Sequence, residues 1–186
     1  MVSDDHCRRG AVAPRHLPWQ NGYMPTVELP QLTSEEISDG LGRAAAATRR
    51  RHPKILHTPG AEFNRVVNFM LPDSYMQPHL HPGDEKIEHI HLLSGKLAVL
   101  FFDDHGTVTR ITTLERGGVQ MIEVPAFTWH TYVILAETIT YETMMGQYEL
   151  QSWKEMAQWA PAENTAGSQS YLQALKTEAA SKPNVG

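Results

Sequence analysis

Cysteine is almost missing from this sequence. Cys7 stands alone among 186 residues, so no disulfide can close within the chain, and a cytoplasmic location is what such cysteine usage predicts. Long apolar runs are missing too. None approaches the roughly 20 residues that carry a helix across a bilayer. The opening MVSDDHCRRGAVAPRHLPW has no apolar stretch of the secretory kind, so neither a leader nor a membrane partner is expected. Positive charge is in deficit: Lys+Arg is 16 against Asp+Glu 21, a formal net charge of -5. A phosphate-neutralising face is therefore not expected, and nucleic acid is set aside as a partner. With 41% hydrophobic and 20% charged residues, the chain suits one domain with a core of ordinary size.

Histidine is what the chain has in excess. There are ten, and four fall between His79 and His91; the total is roughly twice what general composition suggests for this length. Histidine is the commonest metal ligand and titrates near neutral pH.

Local patterns divide the chain into four parts. Residues 1–32 read as an extension punctuated by Pro14, Pro18, Pro25 and Pro30, with Trp19, Tyr23 and Met24 able to dock on a second subunit. Residues 33–52 read as a helix that packs on the rest. Thr33 is its N-cap, Glu36 has the capping-box spacing, and Ile37, Leu41 and Ala44 share a face. Arg49, Arg50 and Arg51 suit the helix C-terminus, with an anionic ligand as the alternative reading. Residues 53–150 carry short β-branched and aromatic runs cut by Gly, Pro and Asp: 65–70, 87–93, 96–102, 107–114, 119–124, 131–135 and 138–144. About eight such strands imply a closed sandwich or barrel. Residues 151–186 return to helical spacing at Trp153, Met156 and Ala157, stop at Pro161, and resume over 171–180 with Tyr171, Leu172 and Leu175 inward. The last residues, SKPNVG, are expected to fray.

His79-Leu80-His81 is an H-x-H. Residues two apart on a strand face the same way, so both imidazoles can reach one ion. Glu85 and Glu88 both lie near enough to join them. Glu85 falls in a turn, whereas Glu88 is in phase with Ile90 and Leu92, which should face the core. An acid at an inward position is costly unless paired or coordinated, which favours Glu88. His89 and His91 then fall on the opposite face, as surface or interface residues. An inward His130, after the turn Val124-Pro125-Ala126-Phe127-Thr128-Trp129, would close a shell of three histidines and one carboxylate.

These residues resemble the two motifs of the cupin superfamily. The first reads His79-Leu80-His81, Glu88, six residues, Gly95; the second, Pro-x-Gly-x-x-His, reads Pro125-Ala126-Phe127-Thr128-Trp129-His130. The step from Glu88 to Gly95 again favours Glu88 over Glu85. The spacer from His81 to Glu88 is longer than usual, and Phe127 replaces the motif's turn glycine, where a positive φ would strain it. The stretches LPDSYMQPHLHP, GKLAVLFFDDHGTV, VPAFTWHT, YETMMGQY and MAQWAP are similar to one branch, the WbuC family of cupin-fold metalloproteins, over roughly residues 35–161.

The resemblance implies an all-β core, a double-stranded β-helix or jelly-roll barrel, with an N-terminal helix and C-terminal helical segments. It implies one divalent metal ion (Zn, Fe, Mn, Ni or Co) on His79, His81, Glu88 and His130, and an association with surface polysaccharide synthesis. By phase, Arg65, Tyr75 and Gln77 are candidate contacts for a small-molecule ligand, and Glu142 a candidate general base. Arg65 and Glu142 could instead pair with each other, and Tyr75 could be core. Three functions follow: a metal-dependent isomerase or epimerase acting on a sugar-derived or carboxylate ligand, an Fe(II) dioxygenase, or a noncatalytic sensor. A homodimer is expected, because strand edges and the apolar arm need cover.

Overall fold

The computed structural model describes residues 29–149 and 151–181. The arm residues 1–28 and the end of the tail, 182–186, lie outside them, so the expectations placed there are outside the described residues.

The first helix, α1 (Ser34–Ala46), begins as the capping box predicts: Glu36 N–H donates to Thr33 Oγ1, and Thr33 N–H donates to the Glu36 carboxylate at 2.9 Å. It ends sooner than expected. Ala47 is already extended, Arg50 takes φ +55°, and Arg51 opens a strand. Arg50 still serves the helix end, its guanidinium donating to Ala45 O in the last turn of α1, while Arg51 carries the chain into the sheet.

Among the described residues ten strands follow: β1 (Arg51–Ile55), β2 (Phe63–Met70), β3 (His79–Leu80), β4 (Glu88–Ser94), β5 (Lys96–Phe102), β6 (Val108–Glu115), β7 (Met121–Val124), β8 (His130–Ile134), β9 (Thr138–Met145) and β10 (Glu155–Met156). The last element is helix α2 (Ser168–Ser181). The strands form two antiparallel sheets, ordered β1-β2-β9-β4-β7 and β10-β3-β8-β5-β6. Without the edge strands β1 and β10, the eight remaining strands run first-eighth-third-sixth in one sheet and second-seventh-fourth-fifth in the other. That is the order of an eight-stranded jelly roll, the architecture of the cupin double-stranded β-helix.

Three apolar layers hold it. Ile90, Leu92, Leu97, Val99, Phe101, Tyr132 and Ile134 fill the space between the sheets. Val67, Phe69, Ile139 and Tyr141 face outward from the first sheet and are covered by Ile37, Leu41 and Ala44 of α1. Ala98, Leu100, Phe102 and Val133 face outward from the second sheet and are covered by Leu175 and Tyr171 of α2, with Trp129 and Trp159. Both faces of β5 are thus covered, which is why KLAVLFF reads as a continuous apolar run.

The stretch around Trp153 and Met156 is corrected from helix to strand and turns. Glu155–Met156 pairs with His79–Leu80 along the edge of the second sheet. The spacing of Trp153, Met156 and Ala157 fits a helix, but pairing with β3 decides the local structure.

Candidate metal centre

The space between the sheets changes character along its length. On β2, Asn64, Val66 and Asn68 face a cavity, while Met70 is in the core. On β4, Glu88 faces the cavity and Ile90 and Leu92 the core. The polar end holds a cavity of about 510 Å³, lined by Arg49, Arg51, Asn68, Met76, His79, Glu88, Tyr132, Glu142, Trp153 and Lys154 among others. A smaller lobe of about 150 Å³ reaches His81 on the other side of Glu88.

His79, His81, Glu88 and His130 are all buried, and one ligating atom of each lies within 4.8 Å of the other three. His79 comes from β3 and His130 from its partner strand β8, directly opposite in register. His81 follows β3, and Glu88 opens β4 in the other sheet. Phe127 is held at φ +56° in the turn before His130, half exposed, with its N–H donating to the His81 carbonyl at 3.0 Å. The strain that the sequence predicts at this position is present, and the turn it makes ties two of the four residues together.

Each imidazole is oriented by a backbone carbonyl. His79 Nδ1 lies 3.1 Å from Gln77 O, His81 Nδ1 2.8 Å from Trp153 O, and His130 Nδ1 2.9 Å from Thr128 O. A carbonyl only accepts, so all three Nδ1 atoms carry the proton and donate. Their Nε2 atoms are turned toward one another and toward Glu88. Tyr132 Oη donates to Glu88 Oε1 at 3.0 Å, and Glu88 Oε2 lies 3.1 Å from His130 Nε2 and 3.6 Å from His81 Nε2. Burial alone would raise the Glu88 carboxyl, but the facing His130 and His81 side chains outweigh it and hold the group well below the usual carboxylate range. Burial, with Lys154 and the neighbouring imidazoles, holds His79 well below the ordinary histidine range.

The donor set fits a divalent ion. Three imidazole nitrogens and one ionised carboxylate oxygen suit Zn, Fe, Mn, Ni or Co. His81 Nε2 is buried with no hydrogen-bond partner, which an ion would supply. The carbonyls behind the imidazoles, and Tyr132 behind Glu88, are the outer contacts that fix tautomer and aim in metal sites.

Glu142 does face the cavity. Asn68 Nδ2 donates to one of its oxygens and Thr140 Oγ1 to the other, each at 2.7 Å. Burial, reinforced by the charge of Glu88, pushes its carboxyl up to about 7. The three other candidates point elsewhere. Arg65 is exposed on the outer face, its guanidinium donating to Leu56 O at 3.2 Å, and it does not pair with Glu142. Tyr75 is buried, donates to Pro161 O at 2.7 Å and meets Tyr171 edge-on. Gln77 is buried and donates to Ala157 O at 2.9 Å, clamping the C-terminal segment. These are structural contacts in place of the ligand contacts expected. His89 and His91 are only partly buried, on the outer face, with His89 Nε2 3.3 Å from Glu123.

Sequence reasoning missed Lys154, and gave Arg51 an anionic ligand only as the alternative to a helix end. Lys154 Nζ lies 3.0 Å from His79 Nε2, inside the cluster. Arg51 is buried in the cavity wall, donating to Glu163 at 2.5 Å and to Tyr75 O at 2.8 Å. Burial pulls both cations below their ordinary range. Lys154 sits in no periodic run, so only the fold reveals it.

The family model "Domain of unknown function (DUF6016)" matches residues 32–114. No curated protein matches the sequence. Among solved structures, the chain is similar to KdgF from Halomonas sp., at 18% identity and TM-score 0.42, over 53% of this chain and 82% of that one. It is similar to an RmlC-like cupin protein from Desulfovibrio desulfuricans, at 17% identity and TM-score 0.42, over 53% and 84%. The cupin domain of Schizosaccharomyces pombe Cnp3 is similar at 17% identity and TM-score 0.40, over 53% and 66%. Among the described residues no helix is long and apolar enough to cross a membrane.

Proposed function

We propose that this chain is a cupin-fold metalloprotein of the WbuC kind, which holds one divalent ion on His79, His81, Glu88 and His130 and captures a small oxyanion ligand beside it. The observation that carries this reading is the common orientation of the three imidazoles. Three separate carbonyls take the Nδ1 protons, so three Nε2 atoms meet one carboxylate in a buried space. Random burial of histidine does not require that convergence.

An ion bound here would supply Lewis acidity to a ligand oxygen, since four protein donors leave one position open on a five-coordinate metal and two on a six-coordinate one. The rest belongs to the chain. The cavity is lined by Arg49, Arg51 and Lys154 and by Glu88, Glu142 and Glu163; Arg51 is already paired with Glu163, so Arg49 and Lys154 are the cations that an anionic ligand could meet. Glu142, held by Asn68 and Thr140, is placed to exchange a proton with it.

The test is metal content by elemental mass spectrometry on protein purified without a histidine tag, beside the His79→Ala/His130→Ala double variant. The reading predicts close to one divalent ion per chain in the parent and loss of it in the variant. A parent that stays metal-free after reconstitution overturns it.

A further inference from the structure

Among the described residues Lys154 is the cation that reaches the four-residue cluster, and its place is not explained by that cluster alone. Its ammonium donates to His79 Nε2, the lone pair that an ion would take. The two cannot share it. Once an ion holds His79, the ammonium must turn to another acceptor; Lys154 is itself exposed, and its side chain lines the cavity beside His79.

Its backbone cannot carry it far. Trp153 O is fixed by His81 Nδ1, and the next two residues, Glu155 and Met156, pair with β3. Glu88, Glu142 and Glu163 are near enough for their charges to hold it, and each already takes a hydrogen bond from another side chain: Tyr132 on Glu88, Asn68 and Thr140 on Glu142, Arg51 on Glu163. The ammonium therefore stays over the cavity, whose wall it lines together with His79, Glu88 and Glu142.

We infer that Lys154 is the specificity residue of this site: it yields His79 to the metal ion and then binds the second oxygen pair of a small dicarboxylate or related oxyacid chelated on that ion. This rests on the metal reading above and adds the ligand class and the residue that selects it. The ligand is anionic at both ends of a short span, one end on the metal and the other on the ammonium.

The experiment uses full-length protein reconstituted with Co(II), whose visible absorption reports added ligands. Oxalate is the charged probe and imidazole the neutral one, applied to the parent, Lys154→Met and Lys154→Arg. Loss of a charge-assisted hydrogen bond predicts oxalate affinity roughly 10- to 100-fold weaker in Lys154→Met. Imidazole affinity stays within about twofold, Co(II) binds at least as tightly, and Lys154→Arg retains most of the oxalate affinity. Equal oxalate affinity in the parent and Lys154→Met overturns the inference and leaves the metal site standing. So does a parallel loss of oxalate and imidazole binding, or loss of Co(II) from Lys154→Met, since each marks a structural role. A parent that takes up no Co(II) overturns the metal reading, and this one with it.

Discussion

Glu142 shows how much one buried carboxyl can set. Its unfolded value is 4.5 and its folded value about 7, because burial and the charge of Glu88 both disfavour the ionised form. The folded chain therefore holds a proton that the unfolded chain has lost between these values, and stability falls as pH rises through that window. One group contributes at most ~1.4 kcal/mol per pH unit. In chelator-treated protein, Glu142→Gln should flatten the decline between about pH 4.5 and pH 7, read as urea midpoints across that range. A variant with the parent's slope contradicts this assignment. At this scale the four candidate ligands were legible in the sequence, because an H-x-H on a strand and an acid in phase with Ile90 and Leu92 are periodic signals. Glu142 was legible for the same reason. Arg65 was misread because α1 covers the outer face of β2: Val67 and Phe69 outside and Met70 inside hide the alternation that would have turned Arg65 outward.

At the scale of elements, α1 lies so close to the first sheet that one position must lack a side chain. A Cβ on Gly40 would stand 2.5 Å from the Phe69 ring. On an exposed helix, Gly→Ala gains up to about 1 kcal/mol. Here the sign reverses, and Gly40→Ala should cost about 1–3 kcal/mol through overpacking, seen as a lower urea midpoint with an unchanged slope. Stabilisation would show that helix and sheet separate freely. The start of α1 was legible from Thr33 and Glu36, a local signal that tertiary packing left alone. Its end was not, because the alanine run suggests continued helix while Arg51 is drawn into pairing with Met70 of β2. The segment around Trp153 fails for the same reason: pairing with β3 overrides its spacing. That segment then delivers Trp153 O to His81 and Lys154 to His79, so an element misread in the sequence carries part of the site.

For the molecule as a whole, the jelly-roll order brings together residues as far apart in sequence as His79 and His130. A chain of short strands announces a sandwich or barrel, but which strands become neighbours is a matter of pairing across long separations, and the cupin resemblance supplied that step. The consequence is mechanical. His79 and His130 belong to the β10-β3-β8-β5-β6 sheet, and Glu88 to the β1-β2-β9-β4-β7 sheet, so an ion on these residues bridges the two layers. The most direct measurement is an anomalous difference map from a crystal of the untagged protein, collected on either side of the metal's absorption edge. The account predicts one strong peak per chain among the Nε2 atoms of His79, His81 and His130 and a Glu88 carboxylate oxygen. No peak there after reconstitution, or a peak on other residues, would contradict it.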